Sequence, residues 1–343
     1  MGGPMLTSGR CRLRDLFRIA TVTALMGLFP SLSQALVINA SFTDLPASAQ
    51  AEVNSAIAFY EANFSDPITV DIEFHTITTP GLLGRSDLHF YFWEYQSYRA
   101  ALLADATSSS DAIANATLGP GPNDPILNSP FITLKPATGR AVGLNTPGLL
   151  INLPGTCVFT GDGCIGLNVA DTTIGGGTYS LFAAAQHEIN EILGLGSSLQ
   201  PDGTIFQGYV SPEDMFRYAA PGVRTFAVND CIPAPPRAFF SIDGGTTNLN
   251  EFNNCANGGD YGDWVTNTPS QVQDAFAGSG SAPFMTLTDT AAVGLDVIGY
   301  TFAAPASVPE PTSALLLVAA LLGIGAVGRR SGRRGRGEGT SPA

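Results

Sequence analysis

Both ends of this chain pair an apolar run with a cluster of arginines, and only the stretch between them is composed like a folded domain. At the N-terminus, Arg10, Arg12, Arg14 and Arg18 precede the apolar run Ile19 to Phe29. Ser33-Gln34-Ala35 then supplies small residues where a signal peptidase reads them. The run is shorter than the about 20 apolar residues a membrane span needs. Residues 1–35 therefore read as a secretory signal peptide rather than an anchor, with cleavage after Ala35. At the other end, Val308-Pro309-Glu310-Pro311-Thr312 leads into the apolar run Ser313 to Gly328, which Arg329, Arg330, Arg333, Arg334 and Arg336 close. Physically this is a short helix able to enter a bilayer, held by a cytoplasmic basic patch.

The order Pro-Glu-Pro, apolar helix, Arg cluster resembles the PEP-CTERM sorting signal of Gram-negative bacteria. The resemblance implies processing by an exosortase at the cell envelope, after a signal peptidase has acted on the other end. The expected organisation is thus a signal peptide at 1–35, a working domain at 36–303 and a sorting segment at 304–343 that meets the membrane.

Removing the ends changes the charge of what is left. Of 16 basic and 29 acidic residues, nine arginines and three acids sit in the end segments, leaving seven basic against 26 acidic and a net charge of −19 in the middle. Such a surface repels phosphates, so no nucleic-acid partner is expected. It suits a soluble exported protein that attracts cations. Gly161-Asp162-Gly163 and Asp243-Gly244-Gly245 look like oxygen-rich turns and raise Ca2+ as a second possible cofactor, although no full EF-hand loop is present. Cys11 leaves with the signal peptide, and the even remainder suits two disulfides in an oxidising compartment. The pairing expected among the possible connectivities is the local one, Cys157–Cys164 and Cys231–Cys255. These cysteines lack C-x-x-C spacing, which argues against a thiolate zinc site.

Periodicity sketches the elements. Ser48 to Phe64 is amphipathic, with Val53, Ile57 and Tyr60 on one stripe, and Pro67 ends it. Ile68 to His75 alternates like a half-buried strand. Helices are expected over Tyr95 to Ala104, Ser110 to Ala116, Tyr179 to Leu195 and Ala291 to Tyr300. Short strands are expected at Ala141 to Leu144, Leu149 to Asn152 and Ala238 to Ile242. The rest beyond Leu195 reads as loops.

The chemistry gathers on one of these helices. In Ala183-Ala184-Ala185-Gln186-His187-Glu188-Ile189-Asn190-Glu191, His187 and Glu191 lie four apart on one face, where an imidazole nitrogen and a carboxylate oxygen can share a Zn2+ ion. Glu188 stands where an H-E-x-x-H peptidase carries the general base for the metal's water.

The pattern resembles the metzincin signature H-E-x-x-H-x-x-G-x-x-H, with Glu191 for the second His, Gly194 in place and Ser197 for the third His. Ser211 to Tyr218 resembles the Met-turn region, and Leu295 to Tyr300 the closing helix. Together with Phe252-Asn253 and Gly259 to Trp264, the middle resembles a PEP-CTERM-bearing metalloprotease-like family with an H-E-x-x-E motif. The resemblance implies an α+β, metzincin-like zinc-peptidase domain with a twisted sheet, an active-site helix and a loop-rich C-terminal part. It implies a secreted or envelope-associated zinc metallopeptidase that hydrolyses peptide bonds, with Glu188 catalytic, His187 and Glu191 on the metal, and a protein or peptide as substrate. The third ligand is open: Glu213 and Asp214 qualify by type, while His75 and His89 read rather as strand or core-edge residues. Tyr218 is either a group near the metal or substrate or a buried aromatic beside Phe216. Arg217 suits an ion pair, and Tyr261 and Trp264 suit loop anchors. The competing reading is a catalytically degenerate matrix or adhesion protein on the same scaffold, possibly calcium-binding, motivated by Glu191, Ser197 and the acidic surface.

Overall fold

The computed structural model describes residues 35–172, 178–200, 202–228 and 237–304. Apart from Ala35 and Ala304, the expected signal peptide and sorting segment lie outside these residues, as does Cys231 of the second expected disulfide. The described residues up to Phe302 belong to one compact unit. No described helix is long and apolar enough to cross a membrane.

The architecture is mixed α+β. In chain order the elements are β1 (Val37–Phe42), α1 (Ala47–Asn63), β2 (Thr69–Thr76), β3 (Gly84–Asp87), β4 (Tyr91–Glu94), α2 (Tyr95–Asp105) and α3 (Ser109–Thr117). Then come β5 (Phe131–Leu134), α4 (Pro136–Ala141), β6 (Leu149–Leu153), β7 (Cys157–Gly161), β8 (Gly163–Leu167) and α5 (Leu181–Leu193). The remainder is loop-rich, with β9 (Arg217–Ala220), β10 (Val223–Arg224), β11 (Phe239–Phe240), β12 (Asn250–Glu251) and α6 (Thr290–Val297).

The sheet that positions the site has the order β1-β2-β8-β3. β1, β2 and β8 run parallel, and β3 pairs antiparallel with β8 at the edge. Val70, Ile72 and Phe74 project from one face of β2 into the main core, which also takes Val53, Ile57 and Tyr60 of α1 and Ile189 and Ile192 of α5. Gly163 of β8 leaves room for Ile192, since a Cβ there would strike its side chain. The opposite face of β2 carries Asp71, Glu73 and His75, yet Glu73 and His75 are buried. The β6–β7 hairpin packs against this part of the sheet through Ile151, Cys157 and Cys164, and the Cys157–Cys164 disulfide joins it to β8. His75 Nδ1 meets Glu73 Oε2 at 3.0 Å, so this histidine serves the sheet, as its alternating context implies.

One sequence expectation changes here, and a second holds. Ala141 to Leu144 is the end of α4 and a turn at Gly143 rather than a strand, because Pro136 opens a helix at N1 whose last turn runs into this segment. Leu149 to Asn152 is a strand as expected, paired among the described residues with β7 in a hairpin.

Where α2, α3 and α6 approach, three aspartates are held in an environment that penalises their charge. Burial, with repulsion from Asp105 and Asp296, pushes Asp66 up to about 7. Burial and Asp111 push Asp105 up to about 6 and Asp296 up to about 7. A carboxyl whose folded value exceeds its unfolded one contributes stability at pH values below the unfolded value. That contribution disappears as pH rises through the folded one. The thermal midpoint is therefore expected to fall between about pH 4 and about pH 7. Asp296→Asn is expected to raise the midpoint at the alkaline end and to flatten the decline. Parallel melting curves for parent and variant across this range would contradict it.

Candidate metal centre

The site helix α5 begins where Ser180 Oγ accepts the Ala183 N–H at 3.1 Å and ends at Gly194, whose φ is +152°. Its apolar side faces the core, and its polar side faces a cavity of about 780 Å³. Edge strand β3 forms one wall through Gly84, Arg85 and Ser86. The segments 258–263 and 271–277 form another, and His187, Glu188 and Glu191 line it from α5.

His187 sets the geometry. Its Nδ1 lies 2.9 Å from the Val272 carbonyl oxygen, which can only accept, so Nδ1 carries the proton of this bond. Nε2 then turns toward Glu191 Oε1 at 3.7 Å and Asp263 Oδ1 at 3.5 Å. These separations exceed the about 2.7–3.2 Å of a hydrogen bond. They match donor atoms placed tetrahedrally around one Zn2+, which at bond lengths near 2.1 Å stand about 3.4 Å apart. A neutral imidazole facing two carboxylates presents acceptor to acceptor, and only a proton or a metal cation between them makes the arrangement favourable. His187, Glu191 and Asp263 thus form a group whose donor atoms suit a metal ion. One nitrogen and two oxygens would give a metal ion three protein donors beside the cavity.

Without a cation the charges strain against each other. Burial alone would lower the His187 imidazole, but Asp263, Glu191 and Glu188 hold it well above its usual range. Burial and the neighbouring Glu191 push the Glu188 carboxyl well above the carboxylate range. Burial, despite His187, pushes Asp263 up to about 7. Glu191 goes the other way: against its burial, His187, Lys135 and a bond from Ser86 Oγ bring it down to about 2. Glu188 lies directly under β3, where a Cβ on Gly84 would overlap its carboxylate. Behind the helix, the buried Lys135 donates from Nζ to Glu191 O at 2.6 Å and to Leu195 O.

The third donor, Asp263, is not among the ligands expected from the sequence. Ser197 Oγ donates to Asp214 Oδ1 instead of facing the site. Asp214 is occupied further by the Ser198 and Ser211 N–H groups, both at 2.9 Å. Glu213 accepts the Gly196 N–H. The Met-turn-like segment Ser211–Tyr218 is therefore laced to the turn that follows α5, and its acids are used in that lacing. Asp263 comes from the loop after β12. Gly262 lets this loop touch the same turn, because a Cβ there would overlap Gly196 and Ser197. Fully buried Arg217 pins the loop by donating to Tyr261 O at 2.7 Å and Asn254 Oδ1 at 2.6 Å, with its guanidinium over Phe252. It is a loop clamp rather than half of an ion pair. Trp264 is buried against Phe240 and Phe252, an anchor as expected. The available sequence signal was Asp263 itself, set between Gly262 and Trp264 in a stretch noted only for its likeness to a family.

The other expected candidates lie elsewhere. His89 is exposed and does not line the cavity. Tyr218 is a buried aromatic beneath the Arg224 guanidinium, with no part in the cavity wall. Both acidic turns considered for Ca2+ have engaged carboxylates: Asp162 pairs with Arg140 at 2.8 Å, and Asp243 accepts from Ser241, Thr246 and Thr247. No protein-family model, curated protein or solved structure matches the chain, and what the site can do follows from its own atoms.

Proposed function

We propose that this chain is an exported zinc-dependent metallopeptidase in which His187, Glu191 and Asp263 hold the metal and Glu188 handles the proton. The observation that carries the reading is the convergence of His187 Nε2 with one oxygen each of Glu191 and Asp263 at the spacing of metal donors, beside an open cavity. A Zn2+ ion so held supplies a Lewis acid and a water whose pKa falls to about 7. Glu188, next along α5 and buried against β3, is a carboxyl whose raised pKa suits accepting a proton near neutrality and returning it to a leaving amine. Edge strand β3 offers backbone groups along the cavity wall to an extended peptide. The helix ending at Gly194 and the turn at Ser211–Tyr218 bound behind it support a metzincin-like arrangement, with the third donor moved to a later loop. The Cys157–Cys164 disulfide supports an oxidising location outside the cytoplasm.

The test is Glu188→Gln in the full-length protein. Turnover of an unstructured protein substrate is expected to fall by about 10²- to 10⁴-fold, with bound zinc unchanged at one equivalent per chain. Equal rates in parent and variant would remove Glu188 from the chemistry. A parent that holds zinc without turnover would favour a degenerate scaffold.

A further inference from the structure

Asp263 is the last member of a buried chain of hydrogen bonds that starts on the first helix. Tyr60 OH lies 2.8 Å from Asn190 Oδ1, Asn190 Nδ2 donates to Gln273 Oε1 at 2.9 Å, and Gln273 Nε2 donates to Asp263 Oδ1 at 2.9 Å. All four residues are buried, so no bulk water completes these bonds. The chain also has a direction. The Tyr60 hydroxyl carries one hydrogen and has two acceptors in reach, Asn190 Oδ1 and Gln186 O, the latter also at 2.8 Å. Gln186 O also takes the Asn190 N–H along α5, but a carbonyl has two lone pairs and can share the hydroxyl hydrogen, so the direction is fixed at the other end, where an Asp263 carboxylate only accepts. A carboxamide accepts at one end and donates at the other. An Asn190 that accepts from Tyr60 must donate to Gln273, and a Gln273 that accepts must donate to Asp263. The reversed polarity would set the Gln273 oxygen against an oxygen of Asp263.

We propose that Gln273 and Asn190 are positioning residues for the metal centre, which fix Asp263 as its third donor by presenting only N–H to it, with Tyr60 ending the chain on α1. This rests on the metallopeptidase reading above and adds to it the residues that orient the ligand. Partners of this kind typically matter 10- to 100-fold in metal affinity (about 1–2 decades). They belong to three different segments, so α1, α5 and the loop before α6 must all be docked before Asp263 is aimed.

The experiment measures Zn2+ affinity of the full-length protein by competition with a chromophoric chelator, with the Co2+ absorption spectrum as a second signal of donor geometry. Gln273→Met, close in size and unable to donate, is expected to bind Zn2+ about 10- to 100-fold more weakly and to alter the Co2+ bands. Asn190→Leu is expected to weaken binding too. The double variant is expected to be no weaker than the weaker single one, because both act through the same final bond. Affinity of Gln273→Met within about twofold of the parent, or single effects that multiply in the double variant, overturns the proposal. If Gln273→Met does not fold, Tyr60→Phe keeps the ring and loses only the hydroxyl. Several-fold weaker Zn2+ binding supports the chain, and unchanged affinity overturns it. A parent that takes up no stoichiometric Zn2+ fails at the earlier step, and the metallopeptidase reading falls with it.

Discussion

Asp263→Asn is expected to separate metal binding from folding. The substitution keeps the side-chain shape and an oxygen for the Gln273 N–H, but it replaces an anionic donor with a neutral amide. Zn2+ affinity should drop by more than about 100-fold, beyond the loss seen when only a supporting residue is changed. In the metal-free protein the sign reverses. Burial and the nearby Glu191 already disfavour the charge of Asp263, so removing that charge should raise the metal-free melting temperature. The parent should gain about 4 kcal/mol of stability at a Zn2+ concentration near a thousand times its dissociation constant, and the variant at most about 1.4 kcal/mol. Calorimetric scans of both proteins with chelator and with added Zn2+ check both halves. A variant that is still stabilised by Zn2+ like the parent would take Asp263 out of the ligand set.

The second large effect belongs to Lys135. Its ammonium is buried behind α5 and donates to Glu191 O and Leu195 O, where the helix leaves carbonyls unpaired. Burial lowers its pKa, while Glu191, Glu213, Asp260 and Asp263 favour its charge. Lys135→Met removes two charge-assisted bonds and the cation that offsets this acidic neighbourhood, at a cost of about 3 kcal/mol or more. Urea unfolding should show a lower midpoint with an unchanged slope. Lys135→Arg should not restore it, since a planar guanidinium replaces a compact charge in a closed space next to Gly196. A midpoint that stays at the parent value would mean that the carbonyls find other partners.

What the sequence disclosed follows the range of the forces involved. α1, α2, α3 and α5 appear where apolar spacing put them, because a helix is written in residues three and four apart. β2 was visible through its alternation. β3, Gly-Arg-Ser-Asp, has no residue with strand preference, and its conformation comes from pairing with β8. β8 was hidden by Gly163, which read as part of an oxygen-rich turn but serves close packing against Ile192. The same holds at the metal centre. His187, Glu188 and Glu191 were legible as one helix face. Asp263 was not, because its position depends on Arg217, Gly262 and Gln273, none of which is near it by any local pattern except Gly262.

That dependence has a consequence for the order in which the protein becomes competent. The site helix carries two of the candidate donors, His187 and Glu191, as soon as it forms. The donor that completes the set waits for a loop far downstream, stapled by one buried arginine and one aromatic cluster. The recognisable motif on α5 is therefore only part of the proposed centre, which is complete only with the last third of the domain docked. For the proposed hydrolase, that dependence ties competence to the docking of the downstream loop.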